Sequence, residues 1–348
     1  MSARRAQVVG TGLIGGSIGL ALREAGWHVT GCDRDEGRAA RALELGAIDA
    51  VGDDPDAELT FVATPVGTVA EVAKGRPGVV TDVGSVKTSI VEAVGDPHFV
   101  GGHPMAGSEQ EGVDGSRADL FQGAVWVLTP VATTDPSAHA LVRSVVSSFG
   151  ADVVELPPER HDALVAVVSH VPHLTAVSLM GLAAERSEEH AALLRLAAGG
   201  FRDMTRVAAG HPGIWPDICV ENQVAIVDVL DRLIAELGAM RERVHTADKP
   251  ALLDTLAKAR AARMNLPVRV AATDVVEVRV PVPDRPGVLA EITTLASELS
   301  VNIHDLEIAH STEGQAGVVL LFVDASQAER FTGGLVARGY KPAARGLE

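Results

Sequence analysis

The sequence predicts an α/β protein in three parts: an N-terminal Rossmann-type parallel sheet, an all-α helical dimerisation domain and a C-terminal ferredoxin-like βαββαβ domain. Three observations lead to this prediction. Short apolar strands alternate with helical stretches at the start of the chain, long apolar helical patterns fill the middle, and the tail reads strand, helix, strand, strand, helix, strand. The predicted boundaries are 1–155, 156–266 and 274–348.

Length, charge and cysteine content limit the possible functions. The 348 residues suffice for two or three domains. The formal net charge of -16 argues against nucleic acid or an anionic membrane as the main partner, because both attract basic surfaces. Only two cysteines occur, Cys32 and Cys219, so we expect no disulfide framework and a cytoplasmic location.

Neither the N-terminal residues nor the most apolar later stretch predicts a membrane protein. The first residues, MSARRAQVVGTG, pass from a short basic arm into a strand and leave no room for the apolar region of a signal peptide. The most apolar later stretch, ALVAVVSHVPHLTAVSLMGLAA, contains two histidines, a proline and serines. We interpret it as a buried helix rather than a membrane span.

The first strand leads into a dinucleotide fingerprint. In QVVGTGLIGGSIGLALREAG an apolar strand precedes Gly10, Gly12 and Gly15, and a helical run follows. The first glycine permits the turn, the second admits the pyrophosphate, and the third lets helix and strand pack closely. The predicted cofactor-binding turn therefore includes Gly10, Gly12, Leu13, Ile14 and Gly15.

A carboxylate stands where the second strand of such a unit should end. WHVTGCD finishes at Asp33, roughly the 20 residues downstream that the fingerprint requires. Asp33 can accept hydrogen bonds from ribose hydroxyls and would repel a 2′-phosphate, which favours NAD over NADP. The neighbouring Arg34 could soften that preference or stack on the adenine.

Later strands of the first domain also end in polar or turn-forming residues. Thr64 and Pro65 follow LTFVA, where they either border the nicotinamide ribose or form an ordinary turn. Ser85 and Lys87 end TDVGSVK and begin a predicted helix, so Ser85 is either an N-cap or a functional residue. In FVGGHPMAGSE, His103 lies between paired glycines, which allow close approach of a ligand, and a proline that fixes the chain.

The predicted helical domain carries a second polar set. His170 and His173 interrupt an apolar helix that Pro172 should kink, and a buried histidine there is more often structural than functional. No cysteine or HExxH-type glutamate accompanies them, so we predict no metal site. Arg202 and Arg206 lie four apart, and they are either a solvated helix face or, because apolar residues flank them, arginines that need an anionic partner such as a substrate carboxylate.

A long helix is predicted from Asp217 to about Val244. Its apolar positions form a stripe that is either core or a dimer seam, and the length of the helix favours the seam and hence a homodimer. The stripe consists of Val220, Val224, Val227, Leu230, Ile234 and Leu237.

In their order along the chain, these motifs resemble the prephenate dehydrogenase family, with its related arogenate and cyclohexadienyl dehydrogenases. The resemblance rests on GTGLIGGS, CDR, VATPV, DVGSVK, GGHPMAGSE, SHVPH, FRDMTRVA, IWPDI and ENQ. It implies that hydride passes from the substrate's carbinol carbon to NAD while CO2 is lost. The product would be 4-hydroxyphenylpyruvate from prephenate or tyrosine from arogenate.

The resemblance also implies roles for individual residues. His103, with a pKa expected near neutrality, would accept the hydroxyl proton as general base. Ser85 would hydrogen-bond His103, and Arg206 would pair with the substrate carboxylate. Pro216 after Trp215 departs from the expected pattern and could alter the rim of the pocket. Further substrate-binding candidates are His173, His170, Arg202, Glu109 and Trp215.

The tail resembles ACT modules, which bind amino acids. The segments DRPGVLAEI and VNIHDLEI carry this likeness, and feedback regulation by tyrosine is the resulting hypothesis. Its candidate contacts are Gly287, Val288, Leu289 and Asn302.

Two other functions remain open at this point. A dehydrogenase of another hydroxy acid would share the Rossmann domain, although the SHVPH and FRDMTRVA segments argue against it. A noncatalytic amino-acid sensor would use NAD structurally and the tail as its receptor.

Overall fold

A computed structural model describes residues 3–107, 110, 112–189, 197, 199–264, 275–283, 285–310 and 316–346. The chain forms two compact units, 1–242 and 243–348. The first unit contains the predicted nucleotide-binding domain and most of the predicted helical domain. The three sequence-based boundaries stay a prediction.

The first unit is built on an eight-stranded sheet in the order β3-β2-β1-β4-β5-β6-β7-β8. Strands β1 to β6 run parallel, but β7 pairs antiparallel with β6 and parallel with β8. The predicted parallel sheet is therefore mixed, with two reversed strands at one side. The strands are β1 (Arg5–Val9), β2 (His28–Cys32), β3 (Ala50–Val51), β4 (Leu59–Val62), β5 (Val79–Asp82), β6 (Phe99–Pro104), β7 (Val125–Thr129) and β8 (Asp152–Glu155).

Among the described residues, five α-helices and a 3-10 turn at Val113–Gly115 lie between these strands. A core that includes Val8, Leu22, Phe61 and Trp126 stabilises the layers by removing apolar surface from water. The helices are α1 (Leu13–Glu24), α2 (Glu36–Glu44), α3 (Val66–Ala73), α4 (Thr88–Val94) and α5 (Pro136–Ser148). Because α4 begins at Thr88, the prediction that the helix already starts at Ser85 was wrong.

The remainder of the first unit is helical and is interrupted by π-helical and 3-10 turns. Its elements are α6 (Pro158–Val165), a π-helical turn (Ala166–His170), α7 (Val171–Glu189), α8 (Gly199–Thr205), 3-10 turns at Arg206–Ala209 and Pro212–Ile214, α9 (Trp215–Glu221) and α10 (Gln223–His245). The predicted distortion at Pro172 takes the form of the π-helical turn directly before it, where the Val171 N–H donates to the carbonyl of Ala166.

The single long helix predicted from Asp217 is instead two helices separated at Asn222. Asn222 has φ -110° and ψ 28°, outside the helical region, and its side chain is buried. Most of the predicted apolar stripe on α10 is exposed in this chain, with Val224 85% exposed.

The run Pro158–Glu185 is long and apolar enough, by length and composition, to cross a membrane. Only 33% of its most apolar window is buried, so the prediction of a buried helix was too strong. The same run carries His161, Asp162, His170 and His173 as buried polar groups, which are costly in hydrocarbon.

The second unit contains a four-stranded antiparallel sheet in the order β10-β11-β9-β12. Its order of elements is the one predicted, with helices after the first and third strands. Its elements are α11 (Lys249–Met264), β9 (Val275–Pro283), α12 (Val288–Glu298), β10 (Ile303–His310), β11 (Ala316–Asp324), α13 (Ala325–Ala337) and β12 (Ala343–Gly346).

Candidate active site

The candidate residues lie at one edge of the sheet, at the ends of its parallel strands. Gly10 follows β1, Thr64 follows β4, Ser85 follows β5, and His103 lies near the end of β6. Since β1, β4, β5 and β6 are parallel neighbours, their carboxyl ends meet at this edge. Ligands of open α/β sheets bind at that edge.

The fingerprint glycines are required by their surroundings. Gly10 has φ +92°, and a Cβ on it would lie 2.4 Å from the carbonyl oxygen of Ala63. A Cβ on Gly15 would lie 1.8 Å from the carbonyl oxygen of Gly10. Gly12, the N-cap of α1, has no such neighbour within 4 Å, so space remains there for a bound group.

The start of α1 can bind an anion. Leu13 and Ile14 are its first helical residues, and the Gly12 N-cap makes no side-chain hydrogen bond to them. Free N–H groups and the helix dipole favour a phosphate at this place.

A cavity of about 450 Å³ lies beside this turn, and six of the predicted cofactor residues line it. The hydroxyl of Thr64 is buried there and has no hydrogen-bond partner among the described residues, so a ligand could provide one. The predicted residues are Gly10, Gly12, Asp33, Arg34, Thr64 and Pro65. The sequence did not indicate Arg38 and Arg76, which also line the cavity.

Backbone groups hold the carboxylate of Asp33. The Thr11 N–H donates to its Oδ2 at 2.8 Å, and the Asp35 N–H donates to its Oδ1 at 2.9 Å. Both oxygens are thereby oriented at the end of β2. Because Oδ2 also accepts from the Thr11 hydroxyl at 3.4 Å, Oδ1 keeps the greater acceptor capacity for a ribose hydroxyl. The glycine turn, the start of α1 and Asp33 therefore all fit a bound dinucleotide.

The paired glycines before His103 serve packing. Gly101 and Gly102 are buried inside β6, and a Cβ on Gly102 would lie 2.6 Å from the carbonyl oxygen of Asp82. A Cβ on Gly101 would lie 2.4 Å from the hydroxyl of Thr129. The expectation that these glycines admit a ligand was wrong.

A buried ion pair between Lys87 and Asp82 holds the residue before His103. The Lys87 ammonium donates to the Gly102 carbonyl at 2.8 Å, and the Gly102 N–H donates to Asp82 Oδ1 at 3.1 Å. Burial lowers the pKa of Lys87, and the Asp82 carboxylate opposes that effect. Both backbone groups of Gly102 are therefore fixed, which restricts the position of His103.

The His103 ring contacts a second histidine that the sequence did not single out. Its Nδ1 lies 2.8 Å from Nε2 of His161, whose Nδ1 lies 2.8 Å from Oδ1 of Asp162. Burial, together with neighbouring His161 and Lys87, lowers the pKa of His103 well below its ordinary value. The expected pKa near neutrality was wrong: His103 is a neutral imidazole at physiological pH.

The predicted bond between Ser85 and His103 is not among the hydrogen bonds of the described side chains. The Nδ1 atom of His103 contacts His161 instead. Ser85 lies half-buried between β5 and α4 at the same sheet edge.

The helical part brings three further predicted residues together. The rings of His173 and Trp215 stack with centroids 3.5 Å apart, and the ring of His170 meets Trp215 edge-on at 6.2 Å. Asn222 Nδ2 lies 3.1 Å from His170 Nδ1 and donates to the Asp162 carbonyl at 3.0 Å. Burial lowers the pKa of His170 to about 4, so this ring is neutral as well.

The two predicted arginines occupy different elements. Arg202 lies in α8, which ends at Thr205, and Arg206 begins the following 3-10 turn. Both are exposed, so the argument that an apolar setting forces an anionic partner on them does not hold. Glu109 lies outside the described residues.

Within the second unit, a cavity of about 360 Å³ contains most of the predicted regulatory residues. Gly287, Val288 and Leu289 line it, together with Arg285. Asn302 is not part of this lining, and its N–H donates to the Gln327 side chain at 3.1 Å. Asn302 therefore does not share the cavity with Gly287, Val288 and Leu289.

Comparison with known proteins gives matches over most of the chain. Family models described as the nucleotide-binding and dimerization domains of prephenate dehydrogenase match residues 18–155 and 157–258. Prephenate dehydrogenase of Bacillus subtilis is 34% identical over 90% of each chain.

Two solved structures are also similar. Prephenate dehydrogenase from A. aeolicus, in complex with hydroxyphenyl propionate and NAD+, is 31% identical with a TM-score of 0.72, covering 76% of this chain and 98% of that one. Synechocystis arogenate dehydrogenase is 32% identical with a TM-score of 0.65, covering 74% and 98%.

Proposed function

The chain belongs to the prephenate dehydrogenase family, and from this premise we propose that it converts prephenate to 4-hydroxyphenylpyruvate in tyrosine biosynthesis. The reaction is an oxidative decarboxylation, and NAD, when bound, supplies the hydride acceptor. The observation that carries the proposal is the position of His103 at the carboxyl edge of the sheet, where the dinucleotide fingerprint also lies. Burial lowers the pKa of His103, which favours the neutral ring. A neutral imidazole is the form that can take a proton.

The protein's own contribution is orientation and the management of one proton. As hydride leaves the carbinol carbon, the hydroxyl proton passes to His103, and the ring carboxylate departs as CO2 while the ring becomes aromatic. Aromatisation supplies much of the driving force. Holding the hydroxyl against His103 therefore accounts for most of what the side chains must do.

We assign the substrate to the neighbourhood of the His170, His173 and Trp215 rings, because a cluster of flat rings suits a planar product ring. Arg206 is proposed to pair with a substrate carboxylate, and Arg202 to add positive potential. Ser85 is proposed to align substrate and nicotinamide. Glu109 is proposed as a further substrate-binding residue.

For the cofactor, we propose contacts to Gly10, Gly12, Leu13, Ile14, Gly15, Asp33, Arg34, Thr64, Pro65 and Ser85. The orientation of the Asp33 carboxylate by two backbone N–H groups supports NAD over NADP.

Arogenate is the second candidate substrate, favoured by the similarity to the Synechocystis arogenate dehydrogenase. Prephenate and arogenate differ only by a keto or amino group on the side chain. An acidic residue such as Glu109 could favour the amine.

The experiment is a comparison of reduced-cofactor formation, followed by near-ultraviolet absorbance, with prephenate and arogenate, each with NAD and with NADP. We expect the highest kcat/KM with prephenate and NAD. A higher value with arogenate would transfer the assignment to the second candidate. No turnover of either substrate would contradict the proposal.

We further propose a cytoplasmic homodimer. The exposed valines of α10, including Val224 and Val227, support a second copy as their cover, since large apolar patches on a monomer are unfavourable in water. Sedimentation equilibrium should give twice the chain mass, and a monomer at micromolar concentration would contradict this.

The C-terminal unit is proposed to be an ACT module that binds tyrosine. The cavity lined by Gly287, Val288 and Leu289 supports this assignment, because it combines apolar walls with the guanidinium of Arg285.

A further inference from the structure

Three side chains form a continuous chain of contacts that ends at the candidate base. Asp162 Oδ1 lies 2.8 Å from Nδ1 of His161, and Nε2 of His161 lies 2.8 Å from Nδ1 of His103. The two imidazole rings meet edge-on, with centroids 5.1 Å apart and planes inclined by 77°. His161 and Asp162 belong to α6, whereas His103 belongs to β6, so the chain of contacts crosses from the helical layer to the sheet.

The direction of these hydrogen bonds follows from Asp162. Its Oδ1 accepts from the Lys87 N–H and its Oδ2 from the Thr88 N–H, each at 2.8 Å. Burial alone would raise the pKa of Asp162, but the hydrogen bonds from His161, Thr88 and Lys87 lower it on balance. An ionised carboxylate can only accept hydrogen bonds, so the proton between the two side chains must reside on Nδ1 of His161.

This assignment fixes the protons of both rings. A His161 ring that carries its single proton on Nδ1 offers Nε2 as an acceptor, which obliges His103 to donate from Nδ1. Nε2 of His103 then carries the lone pair. The opposite tautomer would place a proton on Nε2 and leave no acceptor for a substrate hydroxyl.

We propose that His161 and Asp162 are positioning residues that hold His103 in the tautomer whose Nε2 accepts the substrate proton. This inference rests on the proposed function for its catalytic consequence. The substrate O–H bond breaks, its proton binds Nε2 of His103, and the hydride passes to NAD. Nδ1 of His103 keeps its proton, and the Asp162 carboxylate stabilises the resulting imidazolium through His161, in the manner of a catalytic triad.

Two substitutions of His161 separate positioning from packing. In His161→Gln, the amide oxygen can still accept from Nδ1 of His103, although it cannot share a positive charge. In His161→Leu, the volume is largely kept and the acceptor is lost. His28→Gln is the matched control, because His28 faces Asp49 in a histidine–aspartate pair remote from the site, 3.6 Å apart.

The first readout is the His103 tautomer, measured by long-range 1H–15N correlation NMR on protein labelled with 15N-histidine and assigned with His103→Gln. We expect protonated Nδ1 and unprotonated Nε2 in wild type, His161→Gln and His28→Gln, and protonated Nε2 in a large share of His161→Leu. A proton on Nε2 in the wild-type protein would overturn the proposal even if no variant folds.

The second readout is turnover of prephenate. We expect kcat of His161→Leu to fall about 10²- to 10³-fold, with KM changed little, because the effect is on general base catalysis. His161→Gln should retain an intermediate kcat, and His28→Gln should match wild type. A wild-type kcat in His161→Leu would overturn the proposal. Equal losses of kcat in His161→Leu and His161→Gln, with the His103 tautomer the same in both variants, would overturn it as well.

The two readouts also separate this inference from the proposed function. Failure of the wild-type protein to oxidise prephenate would remove the proposed function. The NMR measurement would still decide whether His161 fixes the His103 tautomer.

Discussion

Burial keeps the site histidines neutral, and this links the stability of the protein to pH. Burial lowers the pKa values of His103 and His170, the latter to about 4. Unfolded histidines titrate near about 6.5. Below that pH the unfolded state binds more protons than the folded state, so stability present above the unfolded pKa is lost as the pH falls.

For His170, this stability is lost as the pH falls from about 6.5 to about 4. The free energy of unfolding should decrease there by up to about 1.4 kcal/mol per pH unit for this residue. Urea unfolding at several pH values checks this, with His170→Gln as the comparison. The variant should show a shallower slope, and equal slopes in both proteins would contradict a neutral buried His170.

Sequence reasoning located His103 but not its partners. Glycines and a proline around one histidine are a local signal, visible within FVGGHPMAGSE. His161 and Asp162 stand in an ordinary helical pattern, and their importance arises from contacts 58 and 75 residues away in the chain. The ion pair of Asp82 and Lys87 could not be predicted either, because its burial depends on the tertiary structure.

At the level of elements, Gly12 at the N-cap of α1 and Gly15 in its first turn have different tasks. Gly15 packs against the carbonyl oxygen of Gly10, while Gly12 has φ -76° and open space around it. Folding therefore requires glycine at position 15, and close approach of a cofactor requires Gly12.

Substitution of each glycine by alanine should separate these tasks. Gly15→Ala should lower Tm by several degrees without any ligand, because its Cβ collides with backbone. Gly12→Ala should keep the wild-type Tm but weaken NAD binding about tenfold or more, since a methyl group fills the approach to the phosphate. Thermal melts and NAD titrations measure both effects. Wild-type NAD affinity in Gly12→Ala would contradict the assigned cofactor site.

Element order was predictable where local patterns decide it. Alternating strands and helices, and the βαββαβ order of the tail, follow from hydrophobic periodicity. The break between α9 and α10 at Asn222 could not be predicted, because Asn222 lies within a continuous apolar repeat. Its Nδ2 group binds the Asp162 carbonyl and contacts His170, 60 and 52 residues away, which only the folded chain brings together.

At the scale of the whole molecule, the catalytic candidates belong to one compact unit and the predicted regulatory residues to the other. Regulation would therefore require tyrosine to bind the second unit. Gly287 and Gly339 both have positive φ, +89° and +86°, and a Cβ on either has no neighbour within 4 Å. Only Gly287 lines the 360 Å³ cavity.

Isothermal titration of the full chain with tyrosine tests this proposal. We expect saturable binding to wild type and to Gly339→Ala, and binding weakened about tenfold or more in Gly287→Ala, where a methyl group enters the cavity. Gly339→Ala controls for the strain of an alanine at positive φ. Absence of tyrosine binding to the wild-type protein would contradict the regulatory assignment.

The exposed stripe on α10 also belongs to this scale. A stripe of apolar side chains on a long helix predicted either core or a dimer seam, and the structure leaves Val224, Ile234 and Leu237 exposed within the chain. The sequence could not decide between the two, because the periodicity is the same whichever surface covers the stripe.

The most direct test of the proposed reaction is the kcat of NADH formation from prephenate, measured for wild type and His103→Gln. Glutamine can hydrogen-bond but cannot take up a proton. We predict turnover by wild type and a loss of about 10²- to 10⁴-fold in the variant, with NAD affinity unchanged. Turnover by the variant at the wild-type rate would contradict the assignment of His103 as the base, and no turnover by wild type would contradict the assigned reaction.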